Sequence, residues 1–310
     1  ALTANTTGTR NTAVGALALD ANTTANDNVA IGYDAASANT TGQMNTVVGT
    51  YAFDANTTGS FNTAVGRAAL SANTDADHNT AIGYQALDVN TTGQYLTAVG
   101  SGALDANTTA DNNTAVGFSA LTSNTTGSTN TAVGRSALAT NSTGSTLTAL
   151  GYGALTANTT ASNNVAIGND ALGSNTTGAS NVAVGASALV NNTTANNNTA
   201  VGYNSLAANT TGASNVAIGR AAGDSITTGG SNTVIGEGSG SSLTTGTDST
   251  FVGQDAGSTV TGSKNTILGC YNGNQGGLDI RTSSNHIVLS DGDSNPRLYL
   301  TNNGYLYVPA

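Results

Sequence analysis

The side chains best placed to do chemistry in this sequence come as columns, each type returning at a fixed interval. An asparagine followed by Thr-Thr recurs at Asn22, Asn39, Asn56 and Asn107, among others, and each is an acceptor pattern for N-linked sugar. Two chemistries fit such a column. A glycan would decorate the asparagine or the neighbouring threonine, or the amides would stack and hydrogen-bond to one another as a ladder. A second column is aromatic. Tyr33, Tyr84, Phe118, Tyr152 and Tyr203 each follow a repeated glycine, at a position that otherwise varies freely. A line of exposed rings stacks on sugars or adheres to another surface.

Catalytic and metal-binding patterns are thin by comparison. Asp291-Gly292-Asp293-Ser294-Asn295 opens like a calcium loop, but Pro296 stands where that loop needs glycine and Asn302 where it needs a bidentate glutamate. A plain hairpin turn is the expectation. His78 and His286 have no partner at metal-ligand spacing, and Glu237 is the sole glutamate. Cys270, the single cysteine, leaves no internal disulfide and reads as a small buried filler where the repeats end. No serine, cysteine or carboxylate recurs beside a base, so the expectation is a non-enzymatic protein with no cofactor and no metal. A glycan-degrading tailspike would need acids clustered in a groove, whereas the aspartates here are scattered. An ice-binding face would want Thr-x-Thr, and the adjacent pairs Thr23-Thr24 and Thr40-Thr41 point to opposite sides if extended.

The element that must position these columns is a repeat. Glycine returns every 17 residues from Gly15 to Gly253, and only the last step, to Gly269, shortens to 16. A period that strict means one structural unit stacked on copies of itself. Before each glycine stands an alanine or a similar apolar residue, then Val, Ile or Leu: Ala13-Val14, Ala30-Ile31, Ala81-Ile82. Such branched residues suit a strand. Ala18-Leu19, Ala69-Leu70 and Ala120-Leu121 form a second apolar pair before the polar corner. Two short strands and two corners per repeat describe a coil of a parallel β-solenoid, or β-roll, in an all-β chain.

Both residues before the glycine are apolar, although neighbours on a strand face opposite ways. The branched column is therefore expected to fill the coil and the alanine column to lie against a dry surface. The same column of other chains around an axis is the economical choice, which predicts a homotrimer, intertwined or packed side by side. At roughly 4.8 Å per coil, stacking would draw the repeats out into a rod.

Composition agrees with order by stacking. Charged residues are 8 % of the chain, aromatics 5 %, and tryptophan is absent, too little for a compact globular core but compatible with in-phase coils. The net charge of −10 argues against nucleic acid or an anionic membrane surface as partner. No apolar run approaches the roughly 20 residues of a membrane-spanning helix, so no membrane insertion is expected.

Three segments are expected: uniform repeats over 1–218, variant repeats over 219–269, and a strand-built cap over 270–310. In the variant repeats the leucine column becomes Gly223, Gly240 and Gly257, and Ile226, Leu243 and Val260 appear three places later. The cap reads as a β-meander of Asn285–Ser290, Arg297–Thr301 and Tyr305–Val308. The chain starts in mid-coil, so further protein is expected before Ala1.

The unit Asn-Thr-Ala-Val-Gly-x-x-Ala-Leu, as at Asn62–Leu70, resembles the head repeats of trimeric autotransporter adhesins over residues 1 to about 269. That resemblance implies a left-handed parallel β-roll with three chains around an axis, although the period here is longer than is usual in that family. The repeat also looks like those of phage tail-fibre proteins, in which a segment similar to Asn285–Gly292 often precedes a self-cleaving intramolecular chaperone. Removal of such a domain after Ala310 would fit the latter. With no coiled-coil stalk or anchor in the sequence, the expectation is an extracellular, tail-fibre-like trimeric shaft that mediates attachment to a host-surface glycan or protein receptor. A bacterial surface adhesin or self-assembling surface filament is the alternative.

Overall fold

The structure is a computed structural model that describes residues 1–309, and among these no helix occurs. The fold is a parallel β-solenoid of 17-residue coils followed by an antiparallel meander. It divides into two compact units, Ala1–Thr160 and Ala161–Ala310.

The first unit holds β1 (Thr12–Val14), β2 (Val29–Ile31), β3 (Thr46–Val48), β4 (Thr63–Val65), β5 (Thr80–Ile82), β6 (Thr97–Val99), β7 (Thr114–Val116), β8 (Thr131–Val133) and β9 (Thr148–Leu150). Each pairs in parallel with the next, and like residues face like: Thr80↔Thr97, Ala81↔Ala98, Ile82↔Val99. The second unit repeats this with β10 (Val165–Ile167), β11 (Val182–Val184), β12 (Thr199–Val201), β13 (Val216–Ile218), β14 (Thr233–Ile235), β15 (Thr250–Val252) and β16 (Thr266–Leu268). A hairpin of β17 (Asn274–Gln275) and β18 (Leu278–Asp279) follows. Then β19 (Ile287–Ser290) adds in parallel to β16, and β20 (Pro296–Leu300) and β21 (Leu306–Tyr307) fold back antiparallel.

Only one strand forms per coil, not two. The Ala-Leu pair lies in a turn because the chain there passes repeatedly through the left-handed region: Ala68 and Leu70 have φ of 55° and 55°, and Phe61 of the same coil 61°. Each such residue costs about 1–2 kcal/mol. What offsets the cost is that the curl points both Ala69 and Leu70 inward, fully buried, which an extended strand could not do. Backbone groups outside the strands pair from coil to coil instead, as in Leu70 N–H to Ala86 O at 2.9 Å and Ala72 N–H to Asp88 O at 3.0 Å. The repeated glycine is obligatory: Gly66 sits at φ 135°, and a Cβ there would lie 2.3 Å from Gly83 O.

The coil interior corrects the column assignment made above. Ala64, Ala81, Ala98 and Ala115 are wholly buried inside the solenoid, while the branched residues after them face outward. The reason is volume. The Ala-Leu pair and two asparagines, such as Asn73 and Asn79, also point into each coil and are fully buried, so only a methyl fits opposite them. In the variant coils the volumes are traded. Phe251 enters from the strand, and the leucine position opposite becomes Gly257, whose Cβ would stand 2.6 Å from the Phe251 ring. Val234 and Gly240 repeat the exchange, with 2.7 Å to Val234 Cγ1.

Candidate functional site

Three outer columns and two inner ones carry the side chains of interest. The first outer column is apolar. In the first unit it runs Val14, Ile31, Val48, Val65, Ile82 and onward, with Val14 57 % and Ile82 40 % exposed. In the second unit Ile167, Ile218 and Leu268 continue the pattern at 38–42 %. Two residues earlier, on the same outer face, stand threonines such as Thr80, Thr97 and Thr114, or valine as at Val165 and Val182. Each unit thus presents a regular strip of branched side chains to its surroundings.

The second outer column is the aromatic corner. Tyr33, Tyr84, Phe118 and Tyr152 all project from the first unit, and Tyr203 from the second, each about half exposed. They do not form one continuous line. Tyr33 meets Tyr51 edge-on, with centroids 5.5 Å apart. Arg67 lies over Tyr84 at 5.7 Å, and Arg135 lies between Phe118 at 5.8 Å and Tyr152 at 5.7 Å. Such cation–π contacts are worth about 0.5–1 kcal/mol at exposed sites.

A third outer column escaped the sequence reading. Phe61, His78 and Tyr95 stack with centroids 4.9 and 5.3 Å apart and planes within 6° of parallel. Their equal spacing was the available signal, but one aromatic per repeat at a varied position does not stand out without the coil register.

The inner columns are asparagine ladders. Asn22 donates from Nδ2 to Asn5 Oδ1 at 2.9 Å, Asn39 to Asn22 at 3.4 Å, Asn56 to Asn39 at 2.8 Å, and Asn107 to Asn90 at 2.9 Å. Each Nδ2 also donates to a carbonyl three residues on, as Asn56 to Gly59 O at 3.1 Å. All four sequon asparagines are therefore buried with their amides engaged, and a glycan on any of them would have to be attached before the coil closes. The second ladder, just ahead of each strand, was not foreseen. Asn45 Oδ1 accepts the backbone N–H of Asn62 at 2.9 Å, while Asn45 Nδ2 donates to Gly59 O at 2.9 Å. Leu96 and Leu147 interrupt this ladder, and both are buried.

The remaining candidates resolve individually. Asp291 Oδ1 accepts the N–H groups of Asp293 at 3.0 Å and Asn295 at 2.9 Å, while Oδ2 accepts from Arg297 Nε at 2.8 Å. The Asn295 N–H, with Arg297 beside it, holds that carboxyl below its ordinary range. These are the bonds of a turn. His286 is buried, and its backbone N–H donates to Asn265 Oδ1 at 2.9 Å, at the end of the second ladder. Cys270 is half-buried, not the enclosed filler expected, because it edges an open hollow of about 210 Å³ with Gln254, Asp255, Gly292 and Ser294. Tyr271 is buried beside it and donates to Leu278 O at 2.7 Å; burial pushes its hydroxyl pKa up.

Acids gather beside the aromatic corner of the first unit, where Asp34 follows Tyr33. Burial raises Asp54, assisted by Asp34 and Asp88, and burial with Asp88 raises Asp105. Asp88 accepts from Ser71 Oγ and from Gln85 Nε2, the latter at 3.1 Å. Among the described residues no group of three or more His, Cys, Asp or Glu side chains is arranged to hold a metal ion. No family model matches the sequence, and no curated protein matches it.

Proposed function

We propose that this chain is the shaft of an extracellular homotrimeric fibre, non-enzymatic, whose role is reach and attachment, in the manner of a phage tail fibre. The observation that carries the reading is the outward column of Val, Ile and Leu, repeated in register within each unit and left open to solvent. A strip of that regularity is the mark of a surface that is covered in the assembled protein. Three copies packed on it would bury what one chain leaves wet, so the contact runs through the branched column and not the alanine column. The resemblance of the repeat to adhesin heads and tail fibres points the same way, and the aromatic corner supplies a surface for a glycan or protein receptor.

Native mass measurement and sedimentation equilibrium test the assembly. A trimer that falls apart when Ile82 and Val116 are changed to Asp supports the proposal; a stable monomer of the unaltered chain overturns it. Incubation with envelope polysaccharide should release no reducing sugar. A second reading has one observation in its favour: Thr and Val or Ile alternate on the outer strand face in a regular array, as at Thr97 and Val99. As a free face on a monomer, that array would suit ice, and inhibition of ice recrystallisation by a monomeric chain would favour it.

A further inference from the structure

One outward column of the first unit changes character over four consecutive coils. Strands β3 to β6 are in register, so Met44, Phe61, His78 and Tyr95, each two residues ahead of its strand, follow one another a coil apart. Further on, the column holds Asn112, Thr129 and Thr146, and in the second unit it stays polar from Asn163 to Asp248. The backbone at this position is left-handed: φ is 57° at Met44, 61° at Phe61, 60° at His78 and 58° at Tyr95, as it is 60° at Asn112. Asparagine takes that conformation readily, whereas a bulky side chain there is an outlier. The only methionine of the chain and three rings therefore stand where local preference opposes them. Phe61, His78 and Tyr95 stack on one another, but stacking engages ring faces alone: Phe61 stays 50 % and Tyr95 58 % exposed, and His78 is exposed too. Burial alternates from each ring into its strand. Tyr95 is exposed, Leu96 buried, Thr97 half-buried, Ala98 buried and Val99 half-buried. The stack thus shares the outward side with the branched column, four residues or roughly 13 Å away.

We propose that the face formed by Met44, Phe61, His78 and Tyr95 anchors the contact between copies of this chain, an inference that rests on the homotrimer reading above and locates its main contact. The occupant is a second copy, and spacing is the reason. The ring centroids stand 4.9 and 5.3 Å apart, close to the roughly 4.8 Å rise of one coil. Ridges and grooves at that period match the side chains of another solenoid of the same rise, coil for coil. The stack is also continuous with the branched column, and both fit within one interface of standard size. Its border is polar: Gln43, Ser60, Asp77 and Gln94 each precede one of the four residues, and Asp77 Oδ1 accepts the Ser60 N–H at 2.6 Å. Aromatic side chains enclosed by a polar rim are the residues that dominate the free energy of an interface. In a ring of three the contact is heterologous, so the stack of one chain meets a different column of the next.

Sedimentation equilibrium on the intact chain tests this, with Phe61→Thr, His78→Asn and Tyr95→Thr combined, and with Tyr95→Thr alone should the combination not fold. Each substitution installs a residue that the same column carries in another coil, as at Asn112, Thr129 and Thr146, so circular dichroism should be unchanged. The concentration at which the trimer half-dissociates should rise at least tenfold in the triple variant and about two- to fivefold in Tyr95→Thr. Melting of the dissociated variants should match that of the dissociated parent chain. A variant that assembles at the parent's concentration overturns the proposal. So does one that melts lower yet assembles as before, because the stack would then be a brace within its own chain. A variant that stays trimeric but no longer adheres to envelope polysaccharide would assign the face to a receptor, and overturns it as well. The two readings separate on the unaltered chain. If it is a monomer, the homotrimer reading has failed; if it and the triple variant are equally trimeric, this inference alone has failed.

Discussion

At the scale of single residues, the asparagines decide more than the apolar side chains do. Asn124 donates to Asn107 Oδ1 at 3.1 Å and Gly127 O at 2.9 Å, and accepts from Asn141 Nδ2 at 2.9 Å. Asn124→Ala would strand the buried Asn107 Oδ1 and remove one bond each from Gly127 O and Asn141 Nδ2, which keep Asn113 Nδ2 at 2.8 Å and Gly144 O at 3.0 Å, and is expected to destabilise the unit by about 1–3 kcal/mol. Denaturant unfolding, with amide exchange at neighbouring coils, would measure it. At Asn209 the ladder already ends, because Ile226 stands where the next amide would be, and Asn209 Oδ1 has no partner. Asn209→Ala should therefore cost less than Asn124→Ala. Equal losses would mean that the ladder acts through packing and not through hydrogen bonds. The ladder itself was legible as a 17-residue spacing of Asn, but its burial was not, since Asn-Thr-Thr reads equally well as an exposed corner.

At the scale of one coil, the two sides of a strand should respond in opposite ways. Ala98 faces a full interior and Val99 faces out. Ala98→Ile should cost about 1–3 kcal/mol through overpacking, whereas Val99→Ser should change coil stability by no more than about 0.5 kcal/mol and weaken assembly instead. Melting paired with sedimentation would show the split, and a reversed pattern would restore the column assignment drawn from sequence. The variant coils allow a sharper version. Gly257→Leu meets the Phe251 ring, so it should destabilise strongly alone and be largely rescued by Phe251→Ala. Additive losses in that double-mutant cycle would contradict the volume exchange.

At the scale of the whole molecule, pH acts on the carboxylates in two directions. Asp54, Asp105 and Asp224 are raised, chiefly by burial, so their charged forms oppose folding at neutral pH. As pH falls through those raised values the folded chain takes up protons first, and stability should rise until the ordinary carboxyl value of 3.8 is reached. Asp279 runs the other way. The Arg281 side chain holds it at about 2, and the Asn295 N–H holds Asp291 low as well. Their contribution is complete above the ordinary value and is lost as pH falls toward about 2. The unfolding midpoint of the intact chain should climb from pH 7 to roughly 4 and then drop below it, with a smaller drop in Arg281→Gln. A midpoint that only falls from neutrality would overturn this account.

The repeat spacing by itself determined the solenoid, the parallel register and the obligatory corner glycine, because each follows from which residue type returns at which interval; the antiparallel meander after Gly269 was legible from its strand-forming runs and the turns between them. Tertiary structure decided which side of the strand is inside. Alternation assigns neighbouring residues to opposite faces but does not say which face is the core; that depends on the volume of Leu70, Asn73 and Asn79 arriving from elsewhere in the coil. It also decided that leucine sits in a left-handed turn, at φ 55° for Leu70, a conformation that local preference opposes and coil-to-coil hydrogen bonds enforce. Side chains stacked one coil apart, such as Phe61 on His78 and Arg135 on Phe118, become neighbours only once the chain has wound, since their contact is a property of the stack and not of the segment.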